Sequence, residues 1–165
     1  MIKEFTIDIN EDQLTNIKSK IEHYPWPSIE SMEGWTHGTN KKYLKELCDY
    51  WLKEFNWKKH EQLINSFKNY KTNVDGTDIH FIKEEGSGVN PKTLLLLHGW
   101  PGSVIEFFEI IKPLAHPEEF GGSIEDAFTV IAPSLPGFGF SSATKKPTGP
   151  RKLAKTLNKL MVENL

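Results

Sequence analysis

Four consecutive leucines, Leu94-Leu95-Leu96-Leu97, run straight into His98-Gly99-Trp100-Pro101-Gly102-Ser103, and a helical apolar pattern follows. A segment that is apolar at every position has no solvent face. Residues 93–98 therefore read as a strand covered on both sides, as strands of a parallel sheet are. The two glycines let the backbone turn and approach closely, and Pro101 stiffens the loop. Val104, Ile105, Phe107, Phe108, Ile111 and Leu114 then recur at helical spacing. Residues 128–132 are a second buried-strand candidate. Strand, tight loop, helix and strand is the alternation of an α/β fold with a mainly parallel sheet.

The pattern around this unit divides the chain. Asp75-Gly76 lies between two short extended-looking runs and predicts a hairpin turn. Ile79, Phe81 and Ile82 mark a strand that fades into the polar 84–91 loop. Residues 134–150 are rich in Gly, Pro, Ser and Thr and read as loop. Leu153, Leu157, Leu160, Met161 and Leu165 predict a last amphipathic helix, with Pro150 near its start. That helix has an apolar face and no following strand, so the sheet reads as incomplete. Upstream the periodicity is helical. Leu14, Ile17 and Ile21 follow Asp12, and Tyr24-Pro25-Trp26-Pro27 stops the helix. A polar stretch leads to Asn40, a predicted N-cap for a helix whose stripe is Tyr43, Leu44, Leu47, Cys48, Trp51, Leu52 and Phe55. Trp57, Leu63, Ile64 and Phe67 predict a further short helix. The expected division is a helical meander over 1–70 and an α/β core over 71–165.

Composition removes several classes of function. In 165 residues, 38% hydrophobic and 12% aromatic content argue for a packed core and against disorder. Twenty basic against 22 acidic residues leave a net charge of −2. No basic block stands out of the kind a general nucleic-acid binder needs. The four-leucine run is far short of the roughly 18 residues of a membrane span, and the first residues lack the apolar core of a signal peptide. A soluble, cytoplasmic protein without a membrane span is expected. Cys48 is alone, so no internal disulfide forms. The six histidines show no i, i+4 pairing and no nearby cysteine, so no metal site is expected. Trp51, Phe55 and Trp57 read as core, and Glu84-Glu85 and Lys145-Lys146 as solvated loop pairs.

His98-Gly99-Trp100-Pro101 matches the HGxP motif of epoxide hydrolases and haloalkane dehalogenases, and the run HGWPGSVIEFFEIIKPL resembles epoxide hydrolases of the microsomal and juvenile-hormone type. Ala132-Pro133-Ser134-Leu135-Pro136-Gly137-Phe138-Gly139-Phe140-Ser141 is similar to a second segment of that family. Gly34-Trp35-Thr36-His37-Gly38, Trp51 with Phe55-Asn56-Trp57, and 75–81 resemble its N-terminal meander. Asn56 departs from the pattern, where an acidic residue is usual. The resemblance implies the first part of an α/β-hydrolase that opens epoxides with water to vicinal diols. A carboxylate attacks a ring carbon and lid tyrosines assist the leaving oxygen. A histidine with an acidic partner then activates the water that hydrolyses the alkyl-enzyme ester. No metal or organic cofactor is implied, and the partner is a small-molecule epoxide.

Within this scheme the backbone N–H of Trp100 is the implied oxyanion-hole donor, supported by His98, Gly99 and Pro101. His98 itself is read as a structural residue at the strand end and not as the base. No G-x-S-x-G turn or aspartate or cysteine equivalent occurs. The nucleophile, acidic relay, base and lid tyrosines are therefore expected beyond Leu165, and the chain alone is expected to be inactive. Two other readings stay open. One is another α/β-hydrolase, such as a haloalkane dehalogenase or a serine hydrolase. The other is a non-catalytic fragment acting as an interaction module. With no strand on its far side, 93–98 is expected to be an open edge through which copies self-associate.

Overall fold

The structure, a computed structural model, describes residues 1–28 and 34–165. Part of the polar stretch before Asn40 thus lies outside the described residues. Two compact units are present, one over Ile7–Gln62 and one made of Met1–Thr6 with Leu63–Leu165.

The helical unit begins with α1 (Glu11–Glu22), where the Asn10 side chain accepts from the Gln13 N–H at 2.8 Å. Glu11 and Asp12 put negative charge at the positive end of its dipole. In α2 (Lys41–Lys53) Asn40 is the N-cap, accepting from the Tyr43 N–H at 3.1 Å, as the spacing predicts. The apolar stripe of α2 is present but not covered: none of its residues is buried, and Tyr43, Leu47 and Trp51 stand exposed. The third helix, α3 (Trp57–Asn65), is fastened to the start of the unit through Glu61. That buried carboxylate accepts from the Ile9 N–H at 2.7 Å, the Trp57 Nε1–H at 2.9 Å and the Lys58 ammonium at 2.8 Å. These donors hold its carboxyl below the usual range, the Ile9 N–H most strongly.

The sheet unit contains β1 (Lys3–Glu4), β2 (Asn69–Val74), β3 (Thr77–Glu84), β4 (Lys92–Leu95) and β5 (Phe128–Pro133), in the order β1-β2-β3-β5-β4. The β1, β2, β3 and β5 neighbours are antiparallel, and β4 runs parallel to β5. The two charged residues of β1 gave no strand signal. The β2–β3 turn has φ of 50° at Asp75 and 80° at Gly76, as the tight hairpin turn with two left-handed residues demands. Asn73 Oδ1 braces it by accepting from the Gly76 N–H at 2.9 Å.

The crossover from β4 to β5 starts as a 3-10 turn, Val104–Phe107, and continues as α4 (Phe108–Ala115). The last helix, α5 (Pro150–Lys159), carries Pro150 in its first turn and passes into a π-helical turn, Leu160–Asn164. Helices cover both faces of the central strands. Ile82, Val130 and Ala132 pack with Val104 and Ile111, while Ile79, Phe81 and Ile131 pack with Leu160. Four successive buried residues in β3, 79–82, follow from that double cover. At the edge, β4 has only β5 beside it. Leu94, Leu95 and Leu96 are half-buried and Leu97 is 48% exposed, so the segment read as covered on both sides is only partly so.

Candidate active site

The parallel pair β4 and β5 delivers two loops to one end of the sheet, residues 96–103 after β4 and 134–142 after β5. His98 joins them. The Leu135 N–H donates to its Nε2 at 3.0 Å, so that nitrogen carries the lone pair and the ring proton sits on Nδ1. Nδ1–H in turn donates to the Gly99 carbonyl at 3.0 Å. The imidazole is buried, and the Phe138 ring meets it edge-on at 5.2 Å. Both nitrogens are committed to loop backbone, which is the geometry of a strut.

The Trp100–Pro101 peptide bond is cis. The Trp100 indole stands 83% exposed, and among the described residues none accepts from its backbone N–H. The loop is closed on its far side by Glu106, whose Oε1 accepts from the Ser103 N–H at 3.0 Å, while Ser103 Oγ accepts from the Ile105 N–H at 3.4 Å. A Cβ at Gly102 would push the Glu106 carboxylate away from the Ser103 N–H that it accepts from. The arrangement is a backbone turn stiffened at both ends, in which the Gly99, Trp100 and Gly102 N–H groups have no acceptor among the described residues.

The second loop is tied down by a polar group that sequence reading passed over. His80 lies in an otherwise apolar run on β3 and is fully buried. Asn69 donates its Nδ2 to the Ile64 and Phe67 carbonyls, both at 2.8 Å, so its Oδ1 faces His80 and accepts from Nε2–H at 2.9 Å. The Ser134 hydroxyl then donates to His80 Nδ1 at 2.9 Å. Ser141 Oγ donates to the Ser134 carbonyl at 2.6 Å and accepts from the His80 N–H at 2.9 Å. The rings of Phe5 and Phe140 flank the imidazole. Burial, with the Lys71 charge adding in the same sense, lowers the His80 pKa to about 4. Serine, histidine and carboxamide in a row have the order of a nucleophile relay, but Ser134 is closed off from solvent, so the row is scaffolding. One signal was available in sequence: a histidine inside the run Ile79-His80-Phe81-Ile82 must find partners for both nitrogens.

His116, Glu118 and Glu119 bring ligand-type atoms within 4.8 Å of one another, with the two glutamates in solvent. Glu84 already holds His116 Nε2 at 3.0 Å, and Glu118 accepts from the Ser87 hydroxyl at 2.9 Å. The helical unit has a groove of about 970 Å³ bordered by Leu14, Ile17, Trp51, Phe55 and Trp57. Trp51 and Phe55, expected as core, thus edge an open concavity.

The family profile described as "Epoxide hydrolase N terminus" matches residues 2–107, and that of the "alpha/beta hydrolase fold" matches 92–164. Epoxide hydrolase 1 of Oryctolagus cuniculus is 39% identical over 150 residues, covering 88% of this chain and 33% of its own length. The juvenile hormone epoxide hydrolase of Manduca sexta is 36% identical over 167 residues, covering 98% of this chain and 35% of its own length. The crystal structure of the juvenile hormone epoxide hydrolase from Bombyx mori superimposes with a TM-score of 0.87 at 35% identity, covering 99% of this chain and 39% of that one. The chain spans about a third of the length of the curated relatives it matches. On these matches, which include its helical unit and its sheet unit, the chain belongs to the epoxide hydrolase N-terminus family.

Proposed function

We propose that the chain is the part of an epoxide hydrolase that supplies one half of the oxyanion hole and the rigid floor beneath it. The observation that carries this is the 96–103 loop, pinned through His98 to Leu135 and through Glu106 to Ser103, with the Trp100 N–H unengaged among the described residues. A donor of this kind acts when an oxygen gains charge. In the ester-hydrolysis step, attack of water on the carbonyl carbon puts that charge on the carbonyl oxygen. A fixed N–H stabilises it without reorganising. The match to the epoxide hydrolase N terminus across 2–107 favours an epoxide over a haloalkane or an ester as the small-molecule substrate. Residues 1–70 form the family's meander in this reading, and 71–165 the first part of its hydrolase core.

The test compares Trp100→Pro, which removes the N–H, with Trp100→Ala, which keeps it. Both are placed in the enzyme that joins this chain to its nucleophile. Loss of the N–H is expected to slow hydrolysis of the alkyl-enzyme by about a hundredfold or more, the usual cost of one oxyanion donor, while Trp100→Ala retains that step. Equal ester-hydrolysis rates in the two variants would refute the assignment. For the 165-residue chain alone no turnover of styrene oxide is expected; hydrolysis above the buffer rate would overturn that expectation.

A further inference from the structure

The net charge of −2 hides a segregation of charge along the sheet unit. Residues 84–142 contain eight carboxylates and two lysines. Residues 143–162 contain Lys145, Lys146, Arg151, Lys152, Lys155 and Lys159 and no carboxylate at all. Lys159 is spent on Asp75, its ammonium 2.7 Å from the carboxylate. The other five cations are exposed, and among the described residues no carboxylate lies within ion-pair distance of any of them.

Their placement follows from α5. Arg151, Lys152 and Lys155 are one, three and four residues apart and therefore share a face of the helix. Leu157 and Leu160, on the opposite face, are buried. The apolar side of this amphipathic helix is used up inside the protein, and the basic side is presented outward, with Lys145 and Lys146 on the loop leading into it.

We propose that this face docks on an anionic lipid surface, with phosphate and carboxylate headgroups as the recognised chemistry. Three exposed cations on one face of α5 and two more on the loop leading into it make five, in the range at which a basic segment gains affinity for acidic bilayers. Lysine charges on flexible stems suit a layer of laterally mobile headgroups, where no fixed geometry has to be met. A single-stranded nucleic acid fits less well, because no aromatic side chain follows Phe140 and bases would have nothing to stack on. Val162, 73% exposed at the end of the helix, adds an apolar contact at headgroup depth. The inference is independent of the catalytic reading above.

The test is co-sedimentation of the full chain with vesicles of phosphatidylcholine containing phosphatidylserine, against pure phosphatidylcholine, at low and high salt. Binding is expected only to the acidic vesicles and is expected to fall with salt. Each lysine removed is expected to weaken partitioning about fivefold, so K145Q/K146Q and K152Q/K155Q each lose about 25-fold. The variant K41Q/K42Q/K45Q, on α2, is expected to bind like the parent. All seven positions are on or near the surface, and circular dichroism checks that the variants fold. Equal partitioning into both kinds of vesicle, no binding at low salt, or equal losses in the α2 variant would each overturn the proposal. So would tighter binding to a single-stranded oligonucleotide than to the acidic vesicles.

Discussion

His80 makes the stability of this chain sensitive to acid between pH 6.5 and about 4. In the folded state its pKa is held at about 4 by burial and by Lys71; unfolded, it returns to 6.5. The depressed value means that the unfolded state binds the proton first. Stability from this group is therefore complete above pH 6.5 and is lost as pH falls from there toward 4. Each pH unit in that interval costs about 1.4 kcal/mol, so the loss between pH 7 and pH 5 is about 2 kcal/mol. Spread over the whole shift it reaches about 3 kcal/mol. Carboxylates with lowered values, Glu61 and Glu85, act below the ordinary carboxylate range and leave the pH 7 to 5 interval to histidine. Urea unfolding followed by tryptophan fluorescence reads the effect directly. With a urea slope of about 2 kcal/mol per molar, the midpoint is expected to fall by about 1 M between pH 7 and pH 5. His80→Gln is expected to be less stable at pH 7, because Ser134 and Asn69 lose a partner, but to lack this pH dependence. Parallel pH profiles for the parent and His80→Gln would refute the assignment of the acid sensitivity to His80.

Three other outcomes are expected. Asn40→Ala should destabilise the helical unit by about 1 kcal/mol through the lost Tyr43 cap, read as a loss of helical circular dichroism on mild heating. Gly139→Ala should cost more, about 2 kcal/mol, because the residue sits at φ 50° and its Cβ would lie 2.8 Å from Ser134 Oγ, and thermal melting measures it. At high concentration the chain should associate through the open side of β4; a single monomeric species in sedimentation, with no effect of Thr93→Lys, would count against it.

The elements that sequence made legible were those whose physics is local. The Asn40 cap, the Asp75-Gly76 turn and the Ser103–Glu106 closure of the loop after β4 depend on residues within a few positions of one another. What stayed hidden depends on distance along the chain. Asn69, His80, Ser134 and Ser141 form one network, yet the bonds that tie His80 to the other three span 11 to 61 residues, and each residue alone reads as an ordinary polar one. The stripe on α2 was legible as a pattern but not as burial, because periodicity says which side is apolar and not whether anything covers it. The same holds for β4, whose composition suits a covered strand while its place in the order leaves one side bare. Among the described residues no helix is long and apolar enough to cross a membrane.

The two margins of the sheet are unlike each other. One ends in β1, two residues long and both charged, which offers an incoming strand almost no ladder and unfavourable side chains. The other ends in β4, uncharged past Lys92. A sheet with a single receptive margin is a terminator as well as a template. A second copy pairing there uses the same margin on both partners and leaves only charged β1 margins outward. If copies do pair there, the expected product is a two-fold symmetric dimer and not an open chain of copies.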